Sequence, residues 1–181
     1  MKRRTTKDYL TESFIELSER KSIAKITIAE ITNNCDFSQP TFYNHFKDKY
    51  DLITWIAKRN AELVLLERNK DGDLDSIISD FVEMTIQNKR MVTNITKYAF
   101  SIRALREQIA RVYIETMCVL IKEKNNIDKI PTKDYKMIQI YFVGAVTLLG
   151  QWLVNDMPYP DSDLKEAIKR AAPGAVIDYL C

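Results

Sequence analysis

The stretch ITIAEITNNCDFSQPTFYNHFKDKYDL (residues 26–52) contains the start signals of successive helices. Thr27 and Glu30 have the spacing of a capping box, in which each side chain accepts a hydrogen bond from the backbone N–H of the other. Ser38 is a favoured N-cap residue, and Pro40 falls in the turn that follows, where its missing N–H costs no hydrogen bond. The stretch therefore predicts a short helix, a tight turn and a second helix of about two turns.

These two helices have the order and lengths of a helix-turn-helix unit, whose second helix enters the major groove of DNA. Phe42 and Phe46 are four residues apart and therefore share the face that packs inward. The free N–H groups at the start of the second helix suit a phosphate. The sequence thus predicts an outer, DNA-facing set of hydrogen-bonding side chains on this helix, with a lysine one turn beyond it: Gln39, Thr41, Tyr43, Asn44, His45 and Lys49.

The remainder of the chain also predicts helices. Asp48 can cap a long helix that continues to about Asn69, and apolar residues recur at helical spacing in residues 5–20. The chain has only 4 glycines and 5 prolines in 181 residues, which leaves few turn formers for a many-stranded fold. We therefore predict an all-α fold, with the other helices over residues 76–90, 94–101, 105–124, 135–156 and 164–172.

Composition limits the chemistry that the chain can perform. The net charge of +2, from 27 basic and 25 acidic side chains, is too balanced to indicate nucleic acid by itself, so any basic surface must be local. One histidine cannot complete a zinc site with three distant cysteines, and no apolar signal sequence follows the charged start. We expect no metal or cofactor, a cytoplasmic location, and free thiols, with a disulfide as the alternative, at Cys35, Cys118 and Cys181.

Two other classes of function have less support. An enzyme needs a recognisable site, and the chain offers no glycine-rich phosphate loop and no spaced carboxylate pair; a Cys35–His45 pair is the one nucleophilic arrangement that can be drawn. A membrane-attached helical adaptor would use residues 137–154, an uncharged run of 18 residues that is close to the ~20 needed to cross a bilayer. Gln139, Gln151 and two glycines favour instead a helix buried between its own core and a second subunit.

Residues 8–56 resemble the DNA-binding region of the TetR family of transcriptional regulators. The family pattern T-x-x-x-I-A, then V-S-x-x-T-x-Y-x-H-F, then K-x-x-L, is densely matched. Asp36 stands where the turn often has glycine, and Phe37 replaces the usual valine; aspartate tolerates the left-handed backbone conformation at some cost. The resemblance implies a three-helix DNA-binding domain (residues 1–50) and a helical domain (residues 51–181) that dimerises and receives a signal.

The resemblance also implies roles for single residues, with double-stranded DNA as the partner. Contacts to the DNA backbone are implied for Thr27, Tyr43, His45 and Lys49. Contacts to bases are implied for three residues that follow the N-cap Ser38 and for one variable position: Gln39, Pro40, Thr41 and Asn44. The alternatives are that Gln39 is merely solvated and that Tyr43 is a half-buried core aromatic. The basic residues at the start of the chain have two interpretations, a basic arm along a phosphate strand or a merely soluble tail. These residues are Lys2, Arg3, Arg4 and Lys7.

The segment FVGAVTLLGQWLVNDMPYPDSDLKEAI (residues 142–168) resembles the C-terminal region of a TetR subgroup, that of the dihydroxyacetone kinase operon activator. The subgroup implies a homodimer whose four-helix interface contains Gly144, Leu148, Gln151, Trp152, Leu164 and Ile168. It favours activation of dihydroxyacetone utilisation, and the alternative is a ligand-released repressor of another operon. The signal is a small molecule or a co-regulator protein, transmitted through the helix of residues 48–69.

A set of aromatic and methionine side chains in the second half has two interpretations. At helical spacing such residues are typical of an ordinary core, and they also suit the wall of a ligand-binding cavity. The sequence leaves both open for Phe81, Met84, Tyr98, Phe100, Tyr113, Met117, Tyr141 and Phe142.

Overall fold

The computed structural model describes residues 4–180, and the ordered elements of that part of the chain are all helical. The ten α-helices are α1 Thr6–Arg20, α2 Ile28–Asn33, α3 Gln39–Tyr43, α4 Lys49–Glu62, α5 Leu74–Gln87, α6 Lys89–Ser101, α7 Arg103–Asn125, α8 Thr132–Val154, α9 Asp161–Arg170 and α10 Gly174–Leu180. A 3-10 turn, Ile23–Lys25, precedes α2, and a π-helical segment, Leu63–Arg68, continues α4. The predicted all-α fold is confirmed.

The helix starts of the N-terminal region follow the sequence signals. The Thr27 hydroxyl accepts a hydrogen bond from the Glu30 N–H at 3.2 Å, and the Glu30 carboxylate accepts from the Thr27 N–H at 2.9 Å. Ser38 caps α3 by accepting from a backbone N–H at 3.3 Å. Asp48 accepts two backbone N–H bonds at the start of α4. The predicted capping box and both predicted N-caps are confirmed, which fixes where α2, α3 and α4 begin.

The turn between α2 and α3 contains the departure from the glycine pattern. Asp36 has a φ of 57°, in the left-handed region, as the sequence predicts. The turn is closed by the Phe37 N–H, which donates to the Thr32 carbonyl oxygen at 2.9 Å. Below it, the N-terminal core consists of fully buried side chains from α1 to α4, joined by Ala99 of α6 and Leu105 of α7. The core therefore extends beyond the first three helices.

Several helix boundaries differ from the predictions, most by two to five residues, and three of them have a clear structural context. Helix α3 ends at Tyr43, and α4 ends at Glu62. The π-helical continuation of α4 is held by Asn69, whose buried side-chain amide donates to the Val64 carbonyl oxygen at 2.9 Å. Helix α10 begins at Gly174, where the sequence predicts an end. Its burial explains the difference, because Val176 and Leu180 are fully buried in the C-terminal core.

Helix α8 runs through the C-terminal core with one side exposed. By length and composition alone it is the one helix among residues 4–180 that could cross a bilayer, a property that core helices share. The Tyr141 hydroxyl donates to the Ile168 carbonyl oxygen of α9 at 2.9 Å. The Trp152 indole N–H donates to the Tyr159 carbonyl oxygen at 2.8 Å, in the loop before α9. These contacts attach α8 to the rest of the C-terminal core.

Candidate DNA-binding surface and effector cavity

Helix α3 presents polar side chains above a buried aromatic base. Phe42 and Phe46 are buried with their ring centroids 5.6 Å apart, as predicted. The Tyr43 side chain is 55% exposed and packs edge-on against Phe42, so the alternative of a core tyrosine is not what the structure shows. Gln39 and Asn44 are also exposed. The helix therefore offers amide and phenol groups to solvent from a fixed backbone.

The other predicted contact residues lie around this helix. Pro40 is exposed, whereas Thr41 and His45 are half-buried. The Thr41 and Ser38 hydroxyls are hydrogen-bonded to each other at 2.9 Å, which orients both at the start of α3. Thr27 is exposed at the start of α2, the helix that packs against α3. Thr27, Pro40 and Thr41 therefore lie at the starts of α2 and α3, and His45 lies two residues beyond the end of α3.

Lys49 has a different position from the one that the sequence predicts. Its ammonium donates to the carbonyl oxygens of Ile23 at 2.7 Å and Ile26 at 2.8 Å, and it lies 5.2 Å from the centre of the Tyr98 ring. Burial lowers the pKa of this lysine. Lys49 is half-buried and caps the 3-10 turn, so its ammonium is already engaged by backbone carbonyl oxygens. Lys47, which the sequence pattern did not single out, is exposed at the end of the α3 region.

The predicted basic arm is only partly described. Lys2 and Arg3 lie outside the described residues. Arg4 forms an ion pair with Glu12 at 2.9 Å, and the Lys7 ammonium lies 4.2 Å from the centre of the Trp55 ring. Lys7 therefore contacts α4, whereas the ion pair of Arg4 lies within the α1 region.

Neither described thiol has the surroundings of a nucleophile. Cys35 and Cys118 are free, and Cys181 lies outside the described residues. The Cys35 thiol lies 3.2 Å from the Ile31 carbonyl oxygen, and burial raises its pKa. A raised pKa keeps the thiol protonated, whereas nucleophilic cysteines need a lowered one. The structure therefore gives no support to a Cys35–His45 pair.

Helix α6 connects the N-terminal helices to the second half of the chain. The Asn94 side chain accepts from the Ile23 N–H at 3.2 Å and donates to the Ser18 and Lys21 carbonyl oxygens at 2.7 and 2.8 Å. One turn further on, the Tyr98 ring stacks on Tyr50 of α4, with centroids 6.0 Å apart. One side chain thus satisfies three backbone groups between the end of α1 and the 3-10 turn, which ties α6 to the N-terminal helices.

The opposite face of α6 lines a cavity of about 750 Å³ between α4, α5, α6, α7 and α8. Five of the eight residues that the sequence left open between core and cavity line it: Phe81, Phe100, Tyr113, Tyr141 and Phe142. The other three, Met84, Tyr98 and Met117, do not. Gly150 of α8 lets α6 approach closely, since a Cβ there would meet the Thr96 methyl carbon at 3.0 Å.

The predicted dimerisation residues divide into two groups. Trp152, Leu164 and Ile168 are buried in the protomer's own core, so their side chains are not available to a second subunit and the prediction needs correction there. Leu148 is half-buried. Gly144 and Gln151 are exposed, and no heavy atom lies within 4 Å of a Cβ built on Gly144. The sequence missed the exposed apolar neighbours of these two on α8, namely Met137, Ile140 and Val143.

Solved structures share this helical arrangement over nearly the whole chain. A TetR transcriptional regulator from Rhodococcus sp. RHA1 matches with a TM-score of 0.69, at 14% identity over 94% of each chain. The dihydroxyacetone kinase operon activator DhaS matches with a TM-score of 0.58, at 12% identity over 97% of this chain and 98% of its own. The chain has the fold of TetR-family transcriptional regulators.

Two further comparisons extend this result. The multidrug binding protein EbrR, whose structure contains imidazole, shares the TetR-type fold with a TM-score of 0.62, at 16% identity over 94% of this chain and 97% of its own. An uncharacterised HTH-type transcriptional regulator of Bacillus subtilis (strain 168), YxbF, is 34% identical over 61 residues, which is 33% of this chain and 16% of that protein. No protein-family model matches the chain.

Proposed function

We propose that the protein is a sequence-specific DNA-binding transcriptional regulator of the TetR type that acts in the cytoplasm. The observation that carries this proposal is the exposed polar face of α3, held over the buried rings of Phe42 and Phe46. Amide side chains such as Gln39 and Asn44 can pair with adenine in the major groove. The TetR-type fold of the whole chain supports the same function.

Contacts to phosphate fix the register of such a helix on DNA without reading sequence. Tyr43 and His45 are proposed for this role together with Thr27, because Thr27 and Tyr43 are exposed and His45 is half-buried beside the end of α3. Lys47 is proposed for the phosphate contact that the sequence predicted for Lys49. The Lys47 side chain is exposed, whereas the Lys49 ammonium is bonded to backbone carbonyl oxygens.

The proposed regulator is a homodimer that binds a palindromic operator. Met137, Ile140, Val143, Gly144 and Gln151 recur at intervals of three, four and seven residues along α8 and form an exposed stripe, with Ile140 75% exposed. Such a stripe of apolar and small residues on a long helix suits an antiparallel or crossed mate across a two-fold axis. Two copies of α3 must then lie about 34–36 Å apart to read successive major grooves.

A small-molecule effector in the cavity is the proposed signal, and a co-regulator protein is the alternative. Met91, Ile95 and Phe100 of α6 line the cavity, while Asn94 on the same helix holds the end of α1. A ligand that displaces α6 therefore acts directly on the DNA-binding helices, in addition to any route through α4. A switch of this kind needs a coupling free energy of about 1–3 kcal/mol between the two sites.

The direction of regulation is proposed in two versions. The structural likeness to DhaS, which activates a dihydroxyacetone kinase operon, supports activation of dihydroxyacetone utilisation. Release of a repressor by its ligand is the alternative. Mapping the selected operator relative to a promoter separates them, because a site that overlaps the promoter indicates repression and a site upstream indicates activation.

Selection of bound duplexes from a random pool, followed by a salt titration, tests DNA recognition. We expect one palindromic sequence to be enriched and its affinity to fall as salt rises, since counterions are released from the phosphates. Gln39→Ala should relax preference at one position, and Lys47→Ala should weaken binding to all sequences and reduce the salt slope by about 1. Lys129→Ala, at an exposed lysine in the loop before α8, is the matched control. A pool without enrichment contradicts the proposal.

Sedimentation of an α8 variant tests the dimer. Ile140→Glu places a charge in the centre of the exposed stripe, and we expect a monomer that no longer binds the palindrome with high affinity. Lys122→Glu changes the charge of α7 by two units at an exposed position outside the stripe, and should remain a dimer. If the Ile140→Glu variant remains a dimer, the interface does not involve the α8 stripe.

A further inference from the structure

The cavity between α4 and α8 has a neutral interior. Its charged lining residues are two arginines and two glutamates of α7, and all four side chains are solvent-exposed: Arg106, Glu107, Arg111 and Glu115. Glu107 is already paired with Arg103 at 2.7 Å. The deeper wall is formed by aliphatic and aromatic side chains such as Ile78, Val82 and Ile114. The deeper wall therefore carries no charge to pair with a charged ligand, and the charges that line the cavity lie on exposed side chains of α7.

Tyr113 is the polar group that distinguishes this interior. Its ring packs edge-on against Phe81 with centroids 5.4 Å apart, which fixes where the hydroxyl points. Among residues 4–180 the hydroxyl has no hydrogen-bond partner, and burial alone raises the pKa of Tyr113 to about 12. Tyr141 lines the same cavity, but its hydroxyl already donates to the Ile168 carbonyl oxygen at 2.9 Å.

Tyr113 is half-buried and lines the cavity, so its hydroxyl is open to the cavity space and is not sealed in the core. A ligand that brings a hydrogen-bond acceptor to the phenol O–H satisfies this donor and is oriented by it. An ionised ligand gains nothing comparable, since a charge transferred into an apolar interior without a counter-ion is strongly disfavoured.

We propose that the cavity binds an uncharged, largely aromatic small molecule that carries one hydrogen-bond acceptor, such as a carbonyl, and that Tyr113 selects this group by donating its O–H. The cavity of about 750 Å³ falls within the range of sites that enclose drug-sized ligands. Phe81, Phe100 and Phe142 supply flat apolar walls for such a ring system. That this molecule acts as the effector rests on the proposed function, whereas its binding does not.

The test uses three related tricyclic compounds and the full-length protein without DNA. N-phenyl-1-naphthylamine, an uncharged fluorescent probe, is first bound to the protein, and its displacement is then measured for fluorene, 9-fluorenone and 9-oxofluorene-4-carboxylate. Fluorene and fluorenone differ by the carbonyl acceptor, and the third compound adds a negative charge. We expect fluorenone to bind about fivefold more tightly than fluorene, the value of one net hydrogen bond. The carboxylate should bind at least tenfold more weakly than fluorenone.

Two variants assign the preference to one hydroxyl. Tyr113→Phe should bind fluorene as the wild type does and lose the preference for fluorenone. Tyr141→Phe removes a hydroxyl that is paired within the protein, so it should keep the preference. The proposal is overturned if the wild type binds fluorene and fluorenone equally, if the carboxylate binds most tightly, or if Tyr113→Phe retains the fivefold ratio. Duplex selection without ligand tests DNA binding separately, so either result can fail alone.

Discussion

The N-terminal helices and the C-terminal helices differ in how closely they are packed. Helices α1–α3 and the first half of α4 enclose fully buried side chains such as Phe14 and Phe42. The C-terminal helices enclose a cavity of about 750 Å³ and leave the apolar stripe of α8 exposed. A surface that reads DNA needs side chains on a fixed backbone, whereas a sensor needs space for a ligand and a face for a second subunit. The difference in packing therefore follows the proposed division of labour.

The largest expected effect on stability comes from replacing a phenylalanine with alanine in each region. Phe42→Ala leaves a void in a closed core, and we expect a loss of about 3–5 kcal/mol in the free energy of unfolding. Phe81→Ala should cost clearly less, because Phe81 is half-buried and already borders the cavity. Urea denaturation followed by circular dichroism measures both. Equal losses in the free energy of unfolding would mean that the two regions are packed alike, which would contradict the difference described above.

The next effect concerns the junction between the regions. Asn94→Ala leaves the Ile23 N–H and the Ser18 and Lys21 carbonyl oxygens without their partner, and we expect a loss of about 2 kcal/mol in unfolding free energy. Thr93→Val is the control, because the Thr93 hydroxyl is buried without a partner among the described residues. Thermal denaturation should show a lowered Tm for the first variant and an unchanged or raised Tm for the second.

A smaller effect tests whether helix starts are equivalent in the two regions. Ser38→Ala removes the N-cap of α3, and Asp73→Ala removes that of α5, where Asp73 accepts from the Ser76 N–H at 2.9 Å. Each should cost about 1 kcal/mol, since a cap acts on its own helix. Urea titration gives both values. A much larger loss for Ser38→Ala than for Asp73→Ala would show that the N-terminal caps have a further role.

The smallest effect is a pH dependence in the N-terminal region. Hydrogen bonds from Lys21 and from Thr27 lower the pKa of Glu30 from 4.5 to about 2. Its stabilising contribution is therefore complete above pH 4.5 and is lost as the pH falls towards 2. In urea titrations at pH 6, 4 and 3, the wild type should lose more stability than Glu30→Gln. Parallel curves for the two proteins would contradict the assigned pKa.

The sequence predicts most of what is local and less of what depends on tertiary contacts. The caps at Thr27, Ser38 and Asp48 are encoded within three residues of each helix start, so they can be read directly. Lys49 could not be placed, because its partners are backbone carbonyls more than twenty residues away. Its position in the motif predicted a phosphate contact. Only the folded structure shows that its ammonium contacts backbone carbonyl oxygens of the same chain.

The same limit applies to the second half. The aromatic pattern could not separate cavity wall from core, since both place large side chains inward. The unpaired hydroxyl of Tyr113 and the paired one of Tyr141 lie on residues of the same type and differ only in their neighbours. Likewise, α10 follows a proline and a glycine that favour a break, and the burial of Val176 explains why the chain becomes helical again.

The close approach of α6 to Gly150 has a genetic consequence. A change of one nucleotide in a glycine codon can produce alanine, and the added methyl group would meet Thr96 on the helix that carries Asn94. In such an allele Thr96, or α6 with it, must yield by a few tenths of an ångström without any effector present. We therefore expect screens for unresponsive or permanently switched variants to recover substitutions at this glycine, which is not one of the proposed DNA-contact residues.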